Sequence, residues 1–416
     1  MLDRTARSLG SANSSFAGQK YEEPAAAVEQ LLQDKSYLQR MGITRIGDLT
    51  GLDCLDIPVW FASRPNSRGL SVAQGKGLSH RQAQISATME ALESAYAERC
   101  EDLVAFEGRP STVEAFGAKP IEFGKMGGQF NLDEIEERSW KWVRGVSMSN
   151  GAAVSAPYEM IGTDFRTKGN WAHDIFTMSS IGLACGHTLE AAICHGICEL
   201  IENDGSAFGD AFPPAQALNP SIPVEWLSDE LLLSLVSKIC ARGFQVEFFD
   251  LSHMKILPVV RARLVPTEKA VNTAYYRPTS GYACRPRFEE AALAALLEAV
   301  QTRATDISGA RDDIEPAIFD ATMIVEARAA APRSNRGLDR SLELDADNSG
   351  SKLELLKDRL LSCGIPDIYV FPLDTIGDGP NPVRVLLPTV DSAFDQGNQR
   401  ISSRAFVKLL ERGAVQ

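Results

Sequence analysis

The sequence predicts an α+β (mixed α/β) fold, and three observations carry that prediction. Apolar β-rich runs interleave with helix-periodic stretches, and no Gly-x-Gly-x-x-Gly phosphate loop follows any of the runs. Three Ala-rich helices, far apart in the chain, each carry two oxygen-bearing side chains at i, i+3. No self-similarity of solenoid length occurs; the three helices are only a weak mark of an internal pseudo-repeat.

Residues 1–20 are rich in Ser, Asn, Gly and Ala and read as a frayed terminus, with an anion cap by Arg4, Arg7 and Lys20 as the alternative. Pro24 to Met41 reads as an amphipathic helix with Pro at its start, and Ile57 to Ala62 as a strand. Ser71 and Gln74-Gly75-Lys76-Gly77 read as a polar turn ahead of a helix at His80. There Gly75 and Gly77 would let the backbone approach a ligand, and Lys76 would meet a phosphate. Residues 104–136 read as a polar connection, and 140–160 as a hairpin turning at Ser149-Asn-Gly. A Gly-rich loop from Gly182 to Gly186 leads into a central helix with Thr188 as N-cap. Pro223 to Arg242 is predicted helical, Phe244 to Phe249 and Ile256 to Leu264 extended, and Phe288 to Asp306 helical. Residues 329–351 have mixed charge and no apolar period and read as a mobile loop. Leu353 to Cys363 is predicted to be a helix; Ile368 to Phe371 and the Val383-Arg-Val-Leu-Leu run read as strands.

Composition narrows the function. The chain has 416 residues, 44% of them hydrophobic and 23% charged, enough for a large core in one or two domains. A net charge of −13 argues against nonspecific binding to nucleic acid or an anionic membrane, but not against ATP. Eight scattered cysteines, among them Cys194, Cys198 and Cys240, read as buried reduced thiols of a cytoplasmic protein. No signal peptide and no apolar run of membrane-spanning length is seen.

The chemistry lies in the paired side chains. Glu199 and Glu202, and likewise Glu90 and Glu93, share a helix face with Cβ atoms roughly 5–6 Å apart. Glu298 and Gln301 repeat the spacing. On helices this apolar, carboxylates with Glu190 beside them are costly unless a cation or a proton joins them. Carboxylates without a matching His/Cys set point to a hard cation, Mg²⁺ above all, and Mg²⁺ held this way usually also holds phosphates. A nucleotide–Mg²⁺ site follows. Cys194-His195-x-x-Cys198 lacks further zinc ligands, since His195 leaves the face that the two cysteines share. No local context supports a Cys–His–Asp nucleophile.

At this point the chain resembles the YcaO family of ATP-dependent peptide-backbone-modifying enzymes. The matching segments are GITRIGDLTGLDCLDIPVW (42–60), RPNSRGLSVAQGKGLS (64–79), SATMEALESAYAE (86–98), GLACGHTLEAAICHGICELIEND (182–204), LLEAVQTRATDISGARDD (296–313) and PNPVRVLLPTVD (380–391). They stand in the family's order. Ser94 and Asn203 depart from it, because Arg often follows the second Glu there.

The resemblance implies carboxylate-bearing helices packed on sheets around an ATP–Mg²⁺ site. The catalytic domain would span 41–395, between an N-terminal segment (1–40) and a tail (396–416). It implies Mg²⁺ on Glu90, Glu93, Glu190, Glu199 and Glu202. Nucleotide contacts would come from Ser71, Lys76, Ser86, Gly182, His187, Glu298 and Gln301. Catalytic roles would fall to Glu90, Glu199, Arg303 and Arg311.

The implied reaction is phosphorylation of a backbone amide oxygen of a peptide substrate, then its replacement. The stretches GITR…TGLD and RPNSRGLSVAQGKG look most like the thioamide-forming branch, with sulfide as nucleophile and a TfuA-like partner. No fused leader-binding domain and no Pro-rich tail after Val407 argue the same way. An azoline-forming cyclodehydratase, a non-catalytic ATP-binding scaffold subunit and an unrelated small-molecule ligase or kinase are the other readings. A homodimer is one candidate assembly.

Overall fold

The structure is a computed structural model. It describes residues 26–126, 131–166, 171–172, 175–176, 178–210, 220–270, 275, 277–311, 313–314, 337–344, 351–373 and 380–390. The expected terminal cap, the chain after Val390 and most of the 329–351 loop lie outside these residues.

Three sheets carry the described residues. The first is the antiparallel meander β1 (Arg45–Asp48), β2 (Val59–Ser63) and β3 (Val72–Lys76). The largest has the order β5-β7-β6-β13-β14-β8, with β4 also paired to β6. Its strands are β4 (Val104–Gly108), β5 (Lys119–Pro120), β6 (Trp140–Ser147), β7 (Ala153–Pro157), β8 (Leu183–Gly186), β13 (Tyr369–Pro372) and β14 (Asn381–Leu386). The third has the order β12-β11-β10-β9, from β9 (Ser221–Ile222), β10 (Phe244–Asp250), β11 (Val259–Pro266) and β12 (Thr279–Cys284). The main helices are α1 (Ala26–Gln33), α2 (His80–Ala97), α3 (Leu189–Asp210), α4 (Glu230–Ala241), α5 (Phe288–Ser308) and α6 (Lys352–Ser362).

The three pair-bearing helices form a ring with the sheet edges. α2 lies on β3 and reaches β8; α3 lies on β8 and β14 and reaches β12; α5 lies on β12 and reaches β3. Each helix therefore bridges its own sheet and the next, and the third closes on the first. The weak pseudo-repeat of the sequence is this ring. Buried small residues allow the close packing. A Cβ on Gly75 would stand 2.0 Å from Ala87 N, and one on Gly281 would stand 2.3 Å from Ala295 O. Three apolar clusters fill the space around it. One holds Ala87, Leu92, Trp142 and Phe371, a second Phe248, Val260, Phe288 and Leu296, and a third Ile197, Leu200, Leu356 and Val385.

Several local expectations hold. Thr188 Oγ1 accepts from Ala191 N at 3.0 Å at the start of α3, and the 140–160 hairpin pairs as β6 and β7. Others are corrected. Gln74 to Lys76 is strand, not turn, and Gly75 makes room for α2 rather than for a ligand. Leu183 to Gly186 is a buried strand rather than a loop, because β14 and α2 supply the pairing and cover that a four-residue run cannot reveal. The helix expected over Pro24–Met41 breaks at Asp34, whose carboxylate accepts from Tyr37 N and caps a second short helix, Lys35–Arg40. Residues 104–136 hold β4, β5 and the short helix Leu132–Glu137. All eight cysteines are free, but Cys240 is exposed. Among the described residues no helix is long and apolar enough to cross a membrane.

Candidate functional site

The ring aims its paired side chains at the strand edges with one rule. The first member of each pair accepts an N–H at its own sheet's edge: Glu90 from Gln74 of β3, Glu199 Oε2 from Gly182 just before β8 (2.9 Å), and Glu298 Oε1 from Tyr282 of β12 (3.2 Å). The second member reaches the next sheet: Glu93 Oε1 accepts from Cys185 of β8 (2.8 Å), and Glu202 Oε2 from Cys284 of β12 (3.1 Å). Gln301 completes the cycle with reversed polarity, its Nε2 donating to Gln74 O of β3 at 3.4 Å. The i, i+3 spacing is what lets one helix serve two sheets.

These bonds fix one oxygen of each carboxylate and leave the group crowded by its neighbours. Burial pushes Glu90 and Glu199 up to about 7. Burial and then the nearby Glu199 charge hold Glu93 well above the usual range; burial and Glu298 do the same to Glu202. Cations offset part of this. Arg311 and Lys76 favour the charged form of Glu90, Arg384 that of Glu199, and Arg285 and Lys76 that of Glu202. Lys76 Nζ touches Glu298 Oε2 at 2.7 Å. Charge that Ser94 and Asn203 do not supply thus arrives from other strands and loops.

The expected site residues divide. Glu90, Glu93, Glu199, Glu202, Glu298, Gln301 and Lys76 come together. Ser86, one turn before Glu90, shares its face, and Gly182 supplies the amide for Glu199. Arg311 is within Coulombic range of Glu90 while binding Asp313 at 2.6 Å. His187 is exposed beyond β8, where its carbonyl accepts from Asn381. Three placements differ from the expectation. Glu190 is nine residues from Glu199, half a turn off its face, and accepts from Ser351 and from Leu353 N at the start of α6. Ser71 lies just before β3, roughly 16 Å along the strand from Lys76, and its carbonyl accepts from Arg64 N. Arg303 is fully buried, with Nε on Asp53 at 2.9 and 3.0 Å, Nη1 on Tyr275 O, and Phe244 against its plane.

Arg384 and Arg285 were missed from the sequence. An Arg inside the apolar Val383–Leu387 run was a legible signal, since a buried charge needs a partner. In β14 that side chain is fully buried, and burial draws it down to about 10.

Comparison with known proteins decides the family. The sequence model of YcaO, described as a cyclodehydratase that binds ATP and Mg²⁺, matches residues 74–390. The chain belongs to the YcaO family. It is 31% identical over 370 residues to a Rhizobium leguminosarum bv. trifolii protein encoded in the tfuA 3′ region, covering 86% of each chain. The fold matches YcaO from Methanopyrus kandleri bound with AMPPCP and Mg²⁺, at TM-score 0.65 and 21% identity over 92% of this chain and 95% of that one. It also matches a heterocyclase solved with substrate and cofactor, at TM-score 0.67 and 15% identity. That match covers 96% of this chain, which spans 57% of the heterocyclase's length.

The YcaO site fits the ATP and Mg²⁺ of its family. Its donors are carboxylate oxygens, the ligands a hard cation prefers. Among the described residues no group of three acidic, His or Cys side chains closes a metal cage alone. Mg²⁺ typically takes one or two carboxylates and completes its shell with phosphate and water. The raised acids give the same indication: their crowding is relieved when a divalent cation enters.

Proposed function

We propose that this YcaO protein activates a peptide backbone amide by ATP-dependent O-phosphorylation and replaces the oxygen with sulfur, acting with a TfuA-like partner and sulfide. The observation that carries the sulfur reading is the 31% identical relative from a tfuA region. Bound ATP with Mg²⁺ supplies the phosphoryl group that turns the amide oxygen into a leaving group. Glu90, Glu93, Glu199 and Glu202 would hold Mg²⁺, since each has one oxygen tied to a strand amide and the ring leaves the other without a backbone tie. Lys76 and Arg311 would meet phosphate, trading Glu298 and Asp313 for it. Ser86, Gly182, Glu298 and Gln301 of the ring, and His187 beyond β8, would be the remaining nucleotide contacts of this reading. Glu190 and Arg303 serve it indirectly, by docking α6 on α3 and α5 on the Asp53 loop.

Azoline formation is the second reading, supported by the family's description as a cyclodehydratase and by the heterocyclase likeness. Both routes consume ATP at an amide oxygen, so phosphate release does not separate them, but product mass does. With peptide, TfuA-like protein, sulfide, ATP and Mg²⁺, the thioamide product is about 16 Da heavier than the substrate, whereas cyclodehydration makes it about 18 Da lighter. A loss of mass with Cys, Ser or Thr consumed would replace the sulfur reading with the second one. Bound ATP without any change of mass would make the chain a scaffold subunit.

A further inference from the structure

Arg384 stands in the middle of β14, opposite Leu183 of β8 and Phe371 of β13. Its side chain is fully buried. Nε donates to Met160 O at 3.2 Å, while Nη1 and Nη2 have no acceptor among the described residues. A guanidinium held this way is costly, and a fold that needed only the Met160 tie could use an uncharged donor. Among the described residues Glu199 is the charge that acts on it: Arg384 pairs with Leu183, next to Gly182, whose amide holds Glu199.

Two cations in the ring therefore work differently. Lys76 touches Glu298 and occupies one of its oxygens. Arg384 makes no such ion pair with Glu199, whose Oε2, among the described residues, is held by Gly182 N. A cation acting from a distance offsets repulsion and leaves the carboxylate available; a cation in contact offsets it and blocks the carboxylate.

We propose that Arg384 is a positioning residue, a fixed positive charge built behind Glu199 that counters Glu90 and Glu298 and presets Glu199 to take the metal. The proposal rests on the ATP–Mg²⁺ reading of the site. It concerns the metal requirement rather than the fold, which separates it from a purely structural tie to Met160.

The test is AMPPCP binding by calorimetry across a Mg²⁺ series, with Arg384→Gln and Arg384→Lys beside the wild type. Gln keeps a donor for Met160 O and loses the charge; Lys keeps the charge. We expect Arg384→Gln to need about tenfold more Mg²⁺ for half-maximal binding, with near wild-type affinity at saturating Mg²⁺, and Arg384→Lys to stay within about threefold. An unchanged Mg²⁺ requirement in a folded Gln variant would overturn the proposal. So would a Lys variant that is folded yet shifted as far as the expected Gln value, and this arm stands even if Gln does not fold. If the wild type binds no AMPPCP at any Mg²⁺ concentration, the nucleotide reading itself fails and takes this proposal with it.

Discussion

α5 carries charge in two ways within two turns. Arg303 is closed on every side: two bonds to Asp53, one to Tyr275 O, and aromatic rings at 4.8 and 5.3 Å. Glu298, five residues earlier, is half-buried in a ring of acids that repel one another, and among the described residues Lys76 is the only cation that touches it. The first arrangement gains stability from completed bonds. The second gives up stability and keeps like charges together, which is useful only if something of opposite charge arrives. On the proposed reading, the difference makes the ring the functional region and Arg303 its support.

The largest expected effect removes the open region. Glu199→Ala combined with Glu202→Ala should weaken Mg²⁺–AMPPCP binding by more than about 100-fold while the melting temperature holds or rises, because repulsion is relieved. Calorimetry and thermal melts read the two quantities. Retained binding would dissolve the contrast, since the acids would then be ordinary half-buried residues. Glu90→Gln is the single-site version. It keeps volume and loses charge, so the variant should fold and lose Mg²⁺-dependent ATP use; turnover within a few-fold of wild type would remove Glu90 from the site.

The closed region should behave in reverse. Arg303→Met leaves Asp53 buried without its partner and should cost about 3–5 kcal/mol of stability. Nucleotide affinity of the folded fraction should stay within about twofold. A stable Arg303→Met protein that no longer binds nucleotide would return Arg303 to the catalytic set that the sequence suggested.

How far the sequence reached follows from the range of each interaction. The acid pairs were legible because carboxylates on Ala-rich helix faces have few low-cost fates, and i, i+3 spacing fixes their common face. Glu190 stands apart from the acids it was expected to join, and its nine-residue offset from Glu199 already places it half a turn away. The burial of Arg303 was not legible for a different reason: its partner Asp53 is 250 residues distant, and no local pattern announces that pairing. β8 and β12 escaped notice because runs of small residues become strands only when a neighbouring edge and a covering helix are present. The alternation of own-strand and next-strand amides needed the closed ring, although three equal spacings had hinted at a repeat.

The smallest effect is a pH trend that should belong to the open region alone. Glu90 and Glu199 ionise near about 7 in the fold, against an ordinary 4.5. Between those values the folded chain binds more protons than the unfolded one. The stability this contributes is fully present below 4.5 and is lost as pH rises through 7. Metal binding runs the other way, because the ligand must be the ionised carboxylate. Affinity for Mg²⁺–AMPPCP should fall about tenfold per pH unit below 7 for each group that must lose its proton, and level off above. Melts without metal should therefore show a midpoint that declines from about pH 4.5 to about pH 7, while the increment from Mg²⁺–AMPPCP grows over the same range. Glu199→Gln removes one titrating group and should flatten both trends; Arg303→Met should lower the whole curve without changing its slope. If the slope follows Arg303 instead, or survives Glu199→Gln unchanged, the pH response does not come from the acid ring and the division of α5 into two regions is wrong.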